Sequence, residues 1–326
     1  MAIRTERCIK LRGMGSFHVG GEPKSLQGKP LMQATLAVGG VPVTMDPNGD
    51  YVIGQMYAQY FLGGDGRRPP ILFWHGGGLT GACWETTPDD RRGWVEDFLL
   101  DGWDIYLCDA VERGRSGYAP IPDVWPAPIS QTAASLFVRF RIGHAETNTT
   151  LENLAGHAFP GSQFPARQFT QFMRQVVPRW SHTDEQIMAA YHALLRRIGR
   201  RSIIVCHSQG GMFGLRSAME APDAVTAVVA LEPASVPLEK ARQLGYSTPT
   251  LIVLGDYIDT DTRWPRIRDR IMQFAAEFPC VQVLSLPEIG IKGNSHMLMM
   301  DKNNMEISGK VRDWLYGMAG ADSARP

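Results

Sequence analysis

Apolar residues follow two rhythms along this chain. Short unbroken runs such as Ile71-Leu72-Phe73-Trp74 and Ile203-Ile204-Val205-Cys206 alternate with longer stretches in which apolar residues return every three to four positions. The runs read as buried strands and the periodic stretches as amphipathic helices. Strands are predicted at residues 15–20, 51–62, 70–74, 103–108, 203–206, 225–231, 250–254 and 281–286. The strand at 51–62 alternates through Val52, Ile53, Met56, Ala58 and Tyr60. Helices are predicted over 91–101, with Trp94, Phe98 and Leu99 on one face, and over 305–316. A third, over 183–198, has Thr183 as its N-cap and Gly199 as its stop. Continuous apolar strands separated by helices need a sheet buried on both sides. The expected fold class is therefore α/β, a mainly parallel sheet with helices on both faces.

One stretch breaks the pattern. Residues 119–182 are too long for a simple connection and carry Trp125, Phe137, Phe140, Phe159, Phe164, Phe169, Phe172 and Trp180. Such a segment inside a compact domain is a lid or binding segment, or else a helical insertion packed on the core. The expected organisation is a single domain over 1–326 interrupted by a cap-like insertion at 119–182.

Composition narrows the partners. Acidic and basic residues balance at 33 each, which argues against a basic nucleic-acid surface or a polybasic membrane patch. No apolar run approaches a membrane span. Residues 1–11 lack the apolar core of a signal peptide, so a cytoplasmic location is expected, although removal of a leader would leave the same sequence. The five cysteines, Cys8, Cys83, Cys108, Cys206 and Cys280, are odd in number and widely spaced. They read as buried reduced thiols. No CxxC pair or His/Cys cluster suggests a metal, and His144, His157, His182 and His192 show no ligand spacing. No cofactor is expected.

Open parallel sheets gather their reactive groups at the carboxyl ends of the strands. His75-Gly76-Gly77-Gly78 follows the third predicted strand, Ser208 the fifth, Glu232 and Asp256 the next two, and His296 lies in the loop after the last. The segment Cys206-His207-Ser208-Gln209-Gly210 joins a strand to a glycine-rich helix start, the kind of corner that exposes a nucleophilic hydroxyl. Cys206 stands where glycine is usual. Ser208 needs a base, and His296, in Gly293-Asn294-Ser295-His296, is the candidate. His207 is set beside the nucleophile with its ring aimed elsewhere. The base in turn needs a carboxylate to hold its tautomer. Glu232, which Pro233 biases towards an extended backbone, and Asp256 compete for that role, and position along the chain favours Asp256. The developing oxyanion calls for the N–H groups of Gln209 and Gly77. Asp109 to Gly117 reads as a structural turn, and Met297, Met299 and Met300 as core or pocket lining. Asp89-Asp90-Arg91-Arg92 reads as a solvated helix start. The glycine turn lacks the Lys-Ser/Thr of a phosphate loop.

These residues are accompanied by Leu79-Thr80-Gly81, Trp84-Glu85-Thr86-Thr87-Pro88, Gly114-Arg115-Ser116, Arg263-Trp264, and Met297 followed by Asp301, Asn303 and Asn304. Together they resemble the α/β-hydrolase superfamily and, within it, a small family of bacterial esterases. The likeness runs over about residues 15–315. It implies a Ser-Glu-His triad whose Glu ends the sixth strand, and so moves the expected acid from Asp256 to Glu232, with Asp256 in support of His296. It also implies oxyanion donors at Gly77 and Gln209, and a homodimer. One member of that family has paired cysteines where this chain has Gly77 and Gly78, so a redox feature there is not expected here, and the 119–182 insertion matches weakly.

The expected function is hydrolysis of carboxylic esters, hydrophobic or bulky, through an acyl-serine intermediate, with Trp84, His75 and Trp125 as candidate substrate contacts. The alternatives are a lactonase, acyltransferase or lyase using the same triad, or a ligand-binding protein with a vestigial one.

Overall fold

The computed structural model describes residues 8–119, 125–146 and 148–322. Residues 1–7, on which most of the signal-peptide reading rests, lie outside the described residues, as do 120–124 and 147 of the insertion. Strand β1 (Gly13–Leu26) is followed by a small separate hairpin, β2 (Met32–Ala34) with β3 (Val43–Met45), and then by β4 (Gly49–Leu62). The remaining strands are β5 (Ile71–Trp74), β6 (Asp104–Asp109), β7 (Ser202–His207), β8 (Val225–Leu231), β9 (Thr250–Leu254) and β10 (Val281–Ser285). Helices α1 (Trp94–Leu100), α2 (Ala133–Arg139), α3 (Phe169–Met173), α4 (Asp184–Ile198), α5 (Gln209–Glu220), α6 (Leu238–Leu244), α7 (Trp264–Glu277) and α8 (Asn304–Asp322) connect or follow them.

The main sheet has eight strands in the order β1-β4-β6-β5-β7-β8-β9-β10. β1 and β4 pair antiparallel, β4 joins β6 antiparallel, and β6 through β10 are parallel throughout. The chain steps from β5 outward to β6 and then returns to place β7 on the other side of β5. That reversal opens a crevice beyond the carboxyl ends of β5 and β7, where ligands bind in open sheets of this kind. Trp74 is paired with Cys206 across the two strands, so the glycine turn after one and Ser208 after the other start side by side.

Alternation along the strands splits the core into two layers. Ile203, Val205, Val229 and Val253 face one way, over α1, α8 and the insertion, while Ile204, Cys206, Ala230 and Ile252 face α4, α5 and α7. This is the sheet covered on both faces that the apolar runs call for. The strands predicted at 225–231 and 250–254 have those bounds. Gly199, at φ 64°, ends α4 as read. Thr183 stands at its N-cap, but its hydroxyl makes no capping bond, and Asp184 and Glu185 in the first turn offset the helix dipole instead.

The structure departs from the pattern at three places. β1 continues to Leu26, held by its ladder to β4 although its later residues are mostly exposed. The final helix runs on to Asp322. The β2–β3 hairpin, whose three-residue strands are too short for alternation to register, leaves Leu36, Val38 and Val41 exposed. Within the insertion, Leu136, Phe137, Ile142, Phe164, Phe169 and Phe172 are buried in the same layer as α1 and α8, so these side chains are part of the core. Cys83, Cys108 and Cys206 are buried thiols as expected, whereas Cys8 is exposed and Cys280 half-buried. Among the described residues, no helix is long and apolar enough to cross a membrane.

Candidate active site

β7 ends at His207 and the chain turns into α5 so tightly that Ser208 sits at φ 52°, ψ −116°. A side chain in this region costs of order 1–3 kcal/mol and persists only where its surroundings hold it. Here the Ser208 N–H donates to the Leu231 carbonyl (3.0 Å), and the Ser208 carbonyl accepts from Gly211 (3.0 Å) and Ala234 (2.9 Å). The helix can begin this close to β5 because Gly210 has no side chain, since a Cβ there would lie 2.6 Å from the His75 carbonyl oxygen. Cys206 fits in place of the usual glycine because its neighbour on α5 gives way. Gly214 would carry a Cβ 2.7 Å from the Cys206 sulfur.

His296 is buried, and its backbone N–H donates to the Phe140 carbonyl (2.8 Å). Its Nδ1 lies 3.1 Å from Glu232 Oε2. Its ring is in contact range of Phe140, Trp264 and His207, with centroids 5.4, 5.1 and 4.6 Å away. The loop that carries it is fixed from below by Asp301. That carboxylate accepts from Ser295 N–H (2.9 Å), Ser295 Oγ (2.7 Å) and Asn294 Nδ2 (2.9 Å). Burial pushes the Asp301 pKa up to about 7, with those bonds opposing it. His207 is also part of this support, because its Nε2 makes a 2.9 Å bond to the His296 carbonyl.

Glu232 is fully buried at the end of β8, with φ 49°. Its Oε1 accepts the Gly255 N–H, and its Oε2 accepts Arg141 Nη2 at 2.6 Å as well as facing His296. Burial alone would raise this carboxyl, but the Arg141 charge and the bond to His296 hold it down at about 2. It is ionised at any physiological pH. Burial also sets His296 below its ordinary 6.5, with Glu232 pulling it back up and the charges of Arg141 and Arg139 adding to the depression. Asp256 is turned away from the ring. Its Oδ2 accepts the Gly293 N–H (2.9 Å) and its Oδ1 the Tyr257 N–H (2.8 Å), while its own N–H donates to Asn294 O (2.8 Å). The structure thus joins Glu232 to His296 and gives Asp256 the shaping of the loop.

Arg141 had no signal in the sequence. It lies in the insertion just after α2, is buried, and has φ 53°. Its Nε donates to the Asp256 carbonyl (2.9 Å), and its guanidinium lies 4.4 Å from the centre of the Trp264 ring. Arg141, Ser208, Glu232 and Tyr257 are four of the six non-glycine residues with left-handed backbone among those described. Strain of this kind collects where a site is held against local preference.

The glycine turn lies across the crevice. A Cβ on Gly76 would sit 2.7 Å from His207 Nδ1 and 3.0 Å from Ser208 Cβ, and one on Gly77 would sit 2.6 Å from Arg179 Nη1 and 2.8 Å from Gln209 Oε1. His75, expected as a substrate contact, has both ring nitrogens engaged inside the protein. Nε2 accepts the Ala110 N–H (2.9 Å) and Nδ1 bonds the Gly76 carbonyl (2.8 Å). Burial drives its pKa down to about 4, so it is neutral and braces the turn. Trp84 is not a substrate contact either, because it is buried against Phe73 and Trp94. Trp125 packs with Trp180 and Ile53 in a small separate cluster. Asp89-Arg91 is likewise more than a solvated helix start. Arg91 donates to the Met300 and Asp301 carbonyls (3.0 Å each), stapling the His296 loop. Asp109 is structural as read, accepting from Gly81 (2.7 Å) and Arg115 (2.9 Å).

A cleft beside the glycine turn is lined by Gly77, Gly78, Leu136, Phe140, Val177 and Arg179, among others. Its free volume is about 10 Å³, enough for roughly one water. Among the described residues, no group of three or more His, Cys, Asp or Glu side chains is placed to hold a metal ion.

A profile of the α/β hydrolase fold matches residues 69–252, and the chain belongs to that family. The solved structure of a novel bacterial esterase superimposes on it with a TM-score of 0.80 at 30% identity, covering 97% of this chain and 98% of that one. A fungal protein (strain ATCC 74256) named as a probable secreted lipase, phiG, is 28% identical over 328 residues, covering 82% of this chain and 87% of its own length.

Proposed function

We infer that this protein is a serine esterase that cleaves carboxylic esters through an acyl intermediate on Ser208. The observation that carries the reading is the buried line of contact from Arg141 through Glu232 to His296 Nδ1, together with a serine held at φ 52° directly after His207, whose ring lies 4.6 Å from that of His296. With Nδ1–H donated to Glu232, His296 Nε2 takes the Ser208 proton as the hydroxyl attacks the ester carbonyl. The N–H groups of Gly77 and Gln209 receive the charge that develops on the carbonyl oxygen. The imidazolium then protonates the leaving alcohol, and water repeats the sequence to release the acid. Glu232 stays ionised throughout and stabilises the imidazolium. Arg141 keeps Glu232 ionised, and the insertion that bears it acts as a cap over the crevice. The relatives named as an esterase and a lipase support the ester as substrate class, and the apolar walls of the cleft suit an aliphatic chain.

The acyl intermediate makes a direct test. Wild-type protein is expected to release 4-nitrophenol from 4-nitrophenyl acetate, and added methanol to divert the acyl group into methyl acetate. A product ratio indifferent to methanol would count against a common acyl-enzyme, and methyl ester as the main product in dilute methanol would make the protein an acyltransferase. The pH dependence follows from His296. A base must be neutral to act, and this one loses its proton below the ordinary 6.5. The acid limb of kcat/KM is therefore expected at a pH below 6.5, and a limb above that value would contradict the assignment.

The same reading includes a homodimer, supported by the exposed apolar side chains of the β2–β3 hairpin. Sedimentation at a mass near the 36.1 kDa of one chain would contradict it. A cytoplasmic location is kept in this reading although the fungal relative is named as secreted. Fractionation of the source cells tests that point.

A further inference from the structure

Arg179 is the charged residue among those lining the cleft beside the glycine turn, and the mechanism leaves it unused. Its backbone is anchored on both sides. The Arg179 N–H donates to the Ile129 carbonyl (3.1 Å), the Ile129 N–H donates back (2.7 Å), and the Val177 N–H donates to the Gly78 carbonyl (2.9 Å). The side chain then reaches over the glycine turn, so that Nη1 comes within 2.6 Å of where a Gly77 Cβ would be. Its Nε is buried with no hydrogen-bond partner. Nearby cations are balanced differently. Arg141 is paired with Glu232, Arg113 with Glu112, and Arg263 with Asp261. Arg179 makes no side-chain hydrogen bond or ion pair among the described residues, and neither does Arg139, which lies within electrostatic range of it at the end of α2. Asp184 is within electrostatic range of Arg179 too, but its carboxylate contacts Gln209 Nε2 (3.4 Å) and Arg179 is not bonded to it.

A guanidinium held without a partner over the glycine turn contrasts with the paired Arg141, Arg113 and Arg263 around it. Among neutral esters nothing repays its displacement from the cleft. A carboxylate does repay it, because the planar fork binds two oxygens at once and charge-assisted bonds are the strong ones. The reach is short. Because the Arg179 backbone stays anchored beside the turn while its side chain swings, a short acid suits it, with the carboxylate about two or three carbons from the ester carbonyl. Leu136, Phe140, Val176 and Val177 line the same cleft and offer an apolar wall for the intervening methylenes.

We propose that the ester cleaved here carries a carboxylate on its acyl part, as in the half-ester of a short dicarboxylic acid, and that Arg179, with Arg139 beside it, binds that carboxylate and moves off the glycine turn as it does so. The inference rests on the serine esterase reading and specifies its substrate. In the balanced reaction, water and a monomethyl half-ester anion give methanol, the dicarboxylate and one proton, which the pH-stat titrates.

The test compares monomethyl succinate with methyl pentanoate by pH-stat, and reads the ratio of their kcat/KM values. Wild-type protein is expected to favour the half-ester by about tenfold to a hundredfold, the weight of a charge-assisted pair. Arg179→Gln is expected to bring the ratio near one, and Arg179→Lys to restore part of it. Because a poorly folded variant lowers both rates and leaves the ratio alone, a structural effect is not mistaken for the anion contact. A second measurement separates this inference from the reaction it builds on. Succinate is expected to raise the melting temperature of Ser208→Ala protein but not of the Ser208→Ala, Arg179→Gln double variant. Hydrolysis of both esters with a ratio near one in wild type, or a ratio untouched by Arg179→Gln, would overturn the anion site and leave the esterase intact. Stabilisation by succinate through Arg179, with neither ester cleaved, would uphold the anion site and overturn the esterase.

Discussion

Replacing Ser208 by alanine is expected to lower kcat/KM for short-chain aryl esters by about 10⁴-fold or more, with the melting temperature little changed. The size of the loss follows from the chemistry. Without the hydroxyl no acyl intermediate forms, and what is left is a binding site with oxyanion donors, which in serine enzymes retains only about 10³- to 10⁴-fold over the uncatalysed rate. Stability should hold because the hydrogen bonds that fix the corner, to Leu231, Gly211 and Ala234, are made by the Ser208 backbone. Alanine keeps those bonds and the same φ of 52°. Equal turnover by the two proteins would remove Ser208 from the mechanism, and unfolding of the variant would contradict the backbone account of the corner.

The second large effect separates the two carboxylates. Glu232→Gln is expected to cost about 10³- to 10⁴-fold in kcat, because an amide cannot stabilise the imidazolium and can present the wrong group to Nδ1. It should also lower the melting temperature. Arg141 is fully buried and Glu232 is its counter-ion at 2.6 Å, and stranding one member of a buried pair typically costs about 3–5 kcal/mol. Asp256→Asn is expected to lower kcat by no more than about tenfold. Its side chain receives two backbone N–H groups from the loop and touches no catalytic atom, so the loss is one of loop order, worth roughly one hydrogen bond. Kinetics and thermal unfolding of the two variants side by side check both statements. The reverse ranking of the two kcat values would make Asp256 the acid.

How much of this was readable beforehand depends on where the residue sits. The central strands β5 to β9 are buried on both faces, so they had to be written as apolar runs, and Ser208, Glu232 and Asp256 fall just past their ends by simple counting, with His296 in the loop after β10. Choosing between Glu232 and Asp256 was beyond periodicity. The two residues end adjacent strands, and the choice turns on the backbone of Glu232 at φ 49° and on the buried Arg141. Arg141 and Arg179 come from an insertion without alternation or helical period, where a buried arginine reads like an exposed one. His75 and Trp84 erred in the opposite direction. They adjoin the glycine turn in sequence, yet the turn folds over them, and one becomes its brace and the other part of the core. Adjacency to a motif places the backbone near a site and leaves the side chain undecided.

The central claim is that Ser208 is a nucleophile activated by His296 with Glu232 behind it. The most direct measurement is covalent labelling with a fluorophosphonate, followed by peptide mass mapping. One adduct on the peptide containing Ser208 is expected, formed fast in wild type, about 10²-fold or more slowly in His296→Ala as befits the loss of a general base, and comparably fast in Asp256→Asn. Labelling at another residue, or at Ser208 with a rate indifferent to His296, would contradict it.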